Sequence, residues 1–353
     1  MIIRIFPDKD TFITNMRKSN VPQTGSNFGA SEMLHVFKKN GITSGSDGLA
    51  RSLLRFDISS ISSSLAAGTI PTGSLYYLKM FNAQHADTLP YSYDVEVQAT
   101  SESWDEGRGL DTDYFSDKGV ANWDKRKSTL WWTTTGSAGT GTISSMHFDE
   151  GDEDLLVNVG TIFGNWISGQ VPNNGLMVRL SSTLETGSEE YYIKKFHSRH
   201  TNFLDRRPYI EVSWDDSVRT GTLTGISKPS EVILSMYDLK DVYEVTDEPK
   251  LHVFARDRDY NPSVVSTASS DVRGLALTKA YWSVRNERTE QVVLPFGTGS
   301  TEFTRVSYND TDGNYFNIKM STLAPGNVYR VVFLIESGSQ RTIVDDGFKF
   351  RVT

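Results

Sequence analysis

The chain has no cysteine among its 353 residues. That excludes disulfides, thiolate metal sites and thiol catalysis, and it fits a protein that folds under reducing conditions. Positive charge is also scarce: 36 lysines and arginines face 44 aspartates and glutamates, a formal net charge of −8. The acidic excess works against nonspecific attraction to phosphate backbones or anionic membranes, so neither a nucleic-acid partner nor membrane insertion is expected. No apolar run is long enough to span a bilayer. Residues 1–10 lack the charged start, apolar stretch and small-residue cleavage site of a secretory signal. If Met1 is the true start, synthesis and retention in the cytosol are expected, although a fragment cut from a secreted protein would read the same way. No Gly-x-Ser-x-Gly elbow, phosphate loop or dinucleotide fingerprint occurs, so an enzyme is not the expectation.

What is present points to β-structure. Hydrophobic residues make up 37% and aromatic residues 11% of the chain, enough for real cores, and the length favours two domains. Short alternating or aromatic-rich segments recur between Gly, Ser, Asn and Asp, the pattern of an all-β sandwich. Strands are expected near 51–56, 75–81, 93–100, 176–180, 191–197 and 208–214. Beyond a linker or crossing strand at 216–228, they are expected near 232–236, 251–255, 280–285, 291–296, 315–320, 328–335 and 348–352. Residues 286–290 and 309–313 read as hairpin turns. The expected organisation is a jelly-roll β-sandwich over 1–215 and a smaller immunoglobulin-like β-sandwich over 229–353. One short helix is expected where Leu155, Val159, Ile162, Phe163 and Trp166 recur at helical spacing, with Asn158 as cap and Gly169 at its stop.

Several landmarks of the first domain occur in a fixed order. They are Asp8 to Ile13, then Asn27-Phe28-Gly29, and Leu53-Leu54-Arg55-Phe56-Asp57. Further on come Trp104-Asp105-Glu106, Asn122-Trp123, Asn165-Trp166-Ile167-Ser168-Gly169, Phe196-His197-Ser198-Arg199 and Arg207-Pro208-Tyr209-Ile210-Glu211-Val212. Together they resemble the DNRLRE-type jelly-roll domains, which overlap carbohydrate-binding module family ninety-six. The resemblance implies a jelly roll over nearly all of 1–215, in which these landmarks are mostly packing and strand-end residues. The second domain's Leu323-Ala324-Pro325-Gly326 and Phe348 to Val352 resemble accessory domains on bacteriophage structural proteins.

The candidate contact residues are aromatic or acidic. Trp104 and Glu106 read either as the lining of a glycan groove or as a core plug tied to a loop. Tyr114, Trp123, Trp131 and Trp132 form the densest aromatic cluster, and one of the adjacent indoles would point outward from a strand. Calcium is the one cofactor the sequence brings up, through acidic loops at Asp111, Asp113 and Asp117, at Asp149 to Asp154, and at Asp257 and Asp259; solvated loops are the alternative, and no full calcium-loop spacing is present. Asp310-Thr311-Asp312-Gly313 lacks the downstream glutamate of an EF-hand. His197 and Arg199 would share a strand face, with His200 opposed, and two histidines are poor grounds for zinc.

β-modules without disulfides or an export signal suit a virion. The expected function is a structural part of a bacteriophage particle, in the tail, neck or capsid decoration. Its partners would be other virion proteins in multiple copies, with a surface glycan as a further candidate. The alternative is a carbohydrate-binding or adhesive fragment of a secreted protein.

Overall fold

The alternation read from the sequence places strands where it was expected to. The computed structural model describes residues 1–18, 21–39, 48–86, 90–110, 119–259 and 274–353. These residues divide into two compact units, one of Ile5–Ile70 and Leu75–Glu211, the other of Met1–Arg4, Pro71–Ser74 and Val212–Thr353. Both are built from β-strands. No helix among the described residues is long and apolar enough to cross a membrane.

The larger unit is the jelly-roll sandwich. Its larger sheet runs Gly139–Phe148, Tyr93–Thr100, Leu176–Leu180, Gly48–Arg55, Met33–Lys39, Tyr191–His197, with Lys9–Thr14 also paired to Gly48–Arg55. A smaller sheet includes Tyr209–Ser213, Leu75–Met80 and Leu155–Asn158 in that order. In Tyr93–Thr100 the residues Tyr93, Val95, Val97 and Ala99 are buried, while Asp94, Glu96 and Gln98 face away, the period of two that a sheet imposes. Tyr93 stacks on Phe148 with centroids 5.3 Å apart, which ties neighbouring strands.

Elsewhere the larger sheet is apolar on both faces. Leu53 pairs with Met177 and Leu54 with Leu176, so adjacent buried residues point to opposite sides. Leu54 and Leu176 face the side opposite the cluster that contains Leu53, Met177, Ile13, Trp104, Ala121, Trp123 and Trp132. Trp104, Ala121, Trp123 and Trp132 therefore lie over the outer face as part of a third layer.

Among the described residues, three short α-helices occur here where one was expected: Ser59–Ala66, Gly160–Ile167 and Ser182–Thr186. Gly160–Ile167 is the expected one and buries Ile162, Phe163 and Trp166. It begins later than its periodicity suggests, because Leu155–Asn158 is a strand with Leu155 and Val157 inward. Asn158 still acts at the junction, its Oδ1 accepting the Gly160 N–H at 2.8 Å. The unexpected helix Ser59–Ala66 is polar in sequence. Asp57 Oδ1 accepts the Ser59 N–H at 3.0 Å and so supports its start.

The smaller unit is immunoglobulin-like. One sheet runs Val232–Ser235, Lys250–Asp257, Gly313–Asn317, Ser307–Asn309; the other runs Val242–Tyr243, Gln340–Val352, Val328–Ser337, Ala280–Asn286, Val292–Leu294. Val242–Tyr243 is parallel to Arg351–Val352, and the other named pairs are antiparallel. Trp282 stacks on Phe316 at 4.9 Å, and Phe316 meets Phe333 edge-on at 5.9 Å, so one aromatic column links the two sheets. Tyr329, at the start of its strand, donates its hydroxyl to the Ala324 carbonyl at 2.7 Å, the tyrosine-corner arrangement of such sandwiches.

The observed boundary differs from 1–215 and 229–353. The smaller unit begins at Val212 and includes Met1–Arg4, because Ile2 belongs to its core and Arg4 donates to the carbonyls of Thr322 (2.8 Å) and Val293 (2.7 Å). The expected linker or crossing strand at 216–228 runs along this unit's edge: Tyr308 N donates to Val218 O at 2.8 Å, and Thr220 N to Tyr308 O at 3.0 Å.

Tyr329→Phe removes the hydroxyl that donates to the Ala324 carbonyl. It is expected to lower the unfolding free energy by about 1 kcal/mol. An unchanged urea midpoint would show that the corner contributes nothing.

Candidate functional site

The indoles proposed as contact residues turn inward. Trp104 is 2%, Trp132 4% and Trp123 7% exposed, all within the layer that covers the larger sheet. Each is satisfied locally. Trp104 Nε1 donates to Asn174 O at 3.0 Å, Trp132 Nε1 donates to Asn122 O at 2.8 Å, and the Arg51 guanidinium lies 5.2 Å from the Trp123 ring. The contact reading is thus corrected for these three, since burying their area outweighs exposing it. Trp131, one residue from Trp132 on the short hairpin Lys125–Lys127/Leu130–Trp131, is 63% exposed. Tyr114 and the loop of Asp111, Asp113 and Asp117 lie outside the described residues.

Glu106 lies not in an open groove but at the centre of a polar hub. Fully buried Asn27 holds the loop beneath it: its Nδ2 donates to the carbonyls of Glu106 and Ala121, both at 2.7 Å, and its Oδ1 accepts from Gly29 N (3.1 Å) and Gly109 N (2.8 Å). Gly29 is required here, because a Cβ would fall 2.3 Å from the Glu106 carbonyl oxygen. Glu106 Oε1 accepts from Asp10 N and Arg199 Nε, both at 2.8 Å, and Oε2 from the Arg199 guanidinium at 2.7 Å. Asp10, 1% exposed, accepts the Arg199 N–H at 2.6 Å through Oδ2. Burial pushes its carboxyl up to about 7 against the pull of that N–H, and the Glu106 charge adds to the rise. His200 Nε2 lies 3.8 Å from Glu106 Oε1.

Arg199 and His200 therefore reach the same carboxylate, and the expected opposition of His200 to Arg199 does not occur. Strand Tyr191–His197 ends before them, and the turn that follows has no period of two. His197 goes elsewhere, its Nδ1 3.1 Å from Thr201 Oγ1 and its ring edge-on to Phe203.

The acidic stretch Asp149 to Asp154 already surrounds a cation, though not calcium. Lys194, fully buried, donates through Nζ to Asn82 Oδ1 (2.9 Å), Gly151 O (2.8 Å) and Glu153 O (2.7 Å), and the ammonium sits 4.7 Å from the Phe148 ring centroid. The three ammonium protons are all taken. Glu153 accepts the N–H groups of Asp149, Glu150 and Gly151, which hold its carboxyl below the ordinary value although burial works to raise it. Asp154 pairs with Lys79 at 2.8 Å. In the smaller unit Asp312 pairs with Lys250 at 2.7 Å, and Asp310 accepts the Thr222 N–H at the same distance. Nothing in the surroundings of Asp257 and Asp259 assembles a set of oxygens with them among the described residues.

Sequence reasoning missed Asp10, Asn27 and Lys194 as site-builders. A lysine in the middle of the alternating Tyr191–His197 segment, on the face of Tyr192 and Phe196, was the available signal for the last.

No family model matches the chain, and no curated protein matches it. Among solved structures, β-glucuronidase 3 of Bacteroides uniformis aligns over 100% of this chain and 35% of its own, at 9% identity and a TM-score of 0.23. A DUF4785 family protein of Legionella pneumophila aligns over 98% of this chain and 66% of its own, at 8% identity and a TM-score of 0.20. The chain thus spans less than two thirds of either protein. Likenesses at these scores carry no argument about what it does.

Lys194→Met would leave three oxygens without their donor, and is expected to destabilise the larger unit by about 3 kcal/mol. Burial pushes the Lys194 ammonium down to about 8 from 10.5. Between those values the unfolded chain holds the proton that the folded chain has released, so this group makes stability rise with pH across that window. Denaturant titrations from pH 7 to pH 10 should show that rise in the parent and lose it in the variant; identical pH profiles would refute the assignment.

Proposed function

We propose that the protein is a non-enzymatic assembly module, of the kind that bacteriophage particles carry in tails, necks or capsid decoration, and that it docks through the hairpin bearing Trp131. The observation that carries this reading is the contrast among the clustered tryptophans. Three lie in the interior, and the fourth stands 63% exposed beside Leu130, itself 44% exposed. Tryptophan is the residue type most enriched among those that dominate protein interfaces.

The hairpin is also held in shape from below. Trp132 N donates to Asp124 O at 3.1 Å and Asp105 N to Arg126 O at 3.0 Å, while Lys125 Nζ sits 5.0 Å from the Trp131 ring. An anchor that is already ordered loses little freedom on binding. Two sandwiches without disulfides suit assembly in a reducing compartment followed by exposure outside it. Particle symmetry would repeat the contact in multiple copies.

One trio has the order of a hydrolase triad. Ser92 Oγ lies 3.4 Å from His147 Nε2, and His147 Nδ1 lies 2.9 Å from Asp94 Oδ1. We read it as a solvated surface cluster, since Asp149 Oδ1 also sits 3.6 Å from the same Nε2 and the His147, Asp94 and Asp149 side chains are exposed. Trp131 also favours one second reading, a glycan stacked on its indole in a carbohydrate-binding module of a secreted protein.

Purified particles of a phage that encodes the chain are expected to contain it by mass spectrometry. Trp131→Ala is expected to lower its incorporation about tenfold, equivalent to ~1.4 kcal/mol, with thermal unfolding unchanged. Absence from the particles, or a glycan-array signal that disappears in Trp131→Ala, would overturn the assembly reading.

A further inference from the structure

We propose that Asp10, Glu106 and His200 of the larger unit form a binding site for a first-row transition-metal dication of the zinc class. One ligand atom from each lies within 4.8 Å of the others. The three residues come from separate stretches of chain, brought together by the strand Lys9–Thr14, the loop that Asn27 holds, and the turn after Tyr191–His197.

The second observation concerns unmet polar atoms. Asp10 Oδ1 and His200 Nε2 are both buried and have no hydrogen-bond partner, and Asp10 as a whole is 1% exposed. Buried acceptors are normally paired, and here two without partners belong to residues of one cluster. The other Asp10 oxygen is fixed by the Arg199 N–H, and Oδ1 lies 3.8 Å from Arg199 Nε, beyond hydrogen-bond reach.

The donor set selects the ion. Imidazole together with carboxylates suits zinc and its neighbours, whereas calcium calls for six or more oxygens. The 3.8 Å from His200 Nε2 to Glu106 Oε1 is close to the ~3.4 Å between ligands in a tetrahedral zinc site. Arg199 grips both oxygens of Glu106 and serves as the outer partner that orients a ligating carboxylate. Partial exposure of His200 leaves an entry path and a position for water as fourth ligand. This site is independent of the hairpin contact proposed above, and neither reading needs the other.

The test uses the full untagged chain, stripped with a chelator and titrated calorimetrically with Zn²⁺ and separately with Ca²⁺. One Zn²⁺ per chain with a Kd of about 10 µM or tighter is expected, with no Ca²⁺ uptake at the same concentrations. His200→Ala and Asp10→Asn should each weaken Zn²⁺ binding at least about tenfold. Circular dichroism checks that both variants fold. Because His200 is partly exposed, its variant keeps the test valid should Asp10→Asn unfold. Co²⁺ gives a second readout, through visible absorption bands that His200→Ala should abolish. No stoichiometric Zn²⁺ at about 100 µM, or binding within about twofold of the parent in the folded variants, would overturn the site.

Discussion

The larger sheet carries apolar side chains on both of its faces, and the architecture of the larger unit follows from having to cover both. One face turns inward in the manner of any sandwich. The other, at Leu53 and Met177, needs a cover of its own, and Trp104, Ala121, Trp123 and Trp132 supply it. A loop pressed onto a sheet brings its backbone polar groups with it, and these must find partners. Asn27 answers that need with four hydrogen bonds to the loop and its own turn, and Arg51 adds two more by donating to the Gly136 and Ser137 carbonyls. The hub at Glu106 is therefore a consequence of the cover: the carboxylate that arrives with Trp104 lands beside Asp10 and has to be neutralised, which Arg199 does.

Charge inside the larger unit is handled by the chain's own side chains. Lys194 stands where the acidic stretch beside it would otherwise call for a metal, and its ammonium meets three oxygens and an aromatic face in the geometry a bound cation would use. The Glu106 hub differs in one respect. Arg199 binds both oxygens of Glu106 but leaves Asp10 Oδ1 3.8 Å from its Nε, beyond hydrogen-bond reach. Two acidic clusters of similar composition thus have different capacities for a cation, decided by whether the protein's own positive group reaches every oxygen.

The fold was legible because its signal is local. Tyr93–Thr100 and Tyr191–His197 declare their faces by alternation over seven or eight residues, and the strands were found at those limits. The hub was not legible, because residues 10, 106 and 199 meet only through long-range pairing. The tryptophans misled for a physical reason: Gly-, Ser- and Thr-rich flanks read as exposed loop, yet such flanks also let a segment lie flat on a sheet. The overlooked signal was in the partner strands, where Leu53-Leu54 and Leu176-Met177-Val178 break alternation and announce two buried faces. Leu155 was drawn into a helix because a strand residue followed by a helix can match helical spacing by chance over a single turn.

Edge strands decide where such a protein can touch others. Gln340–Val352 is a long strand whose outer side is covered, among the described residues, by Val242–Tyr243 at its far end. An open edge of that length invites strand addition. This one carries Arg341, Asp345, Asp346, Lys349 and Arg351, and its register breaks between Val331 and Phe333 of its partner, near Gly347 in the left-handed region at φ 74°. Charge and an irregular edge are the usual guards against pairing with another chain, and both are present. The hairpin of Leu130 and Trp131 differs from that edge in presenting apolar side chains on a held loop. The two-faced sheet thus does more than hold the larger unit together, because the layer that seals its outer face also supports the one indole left outside.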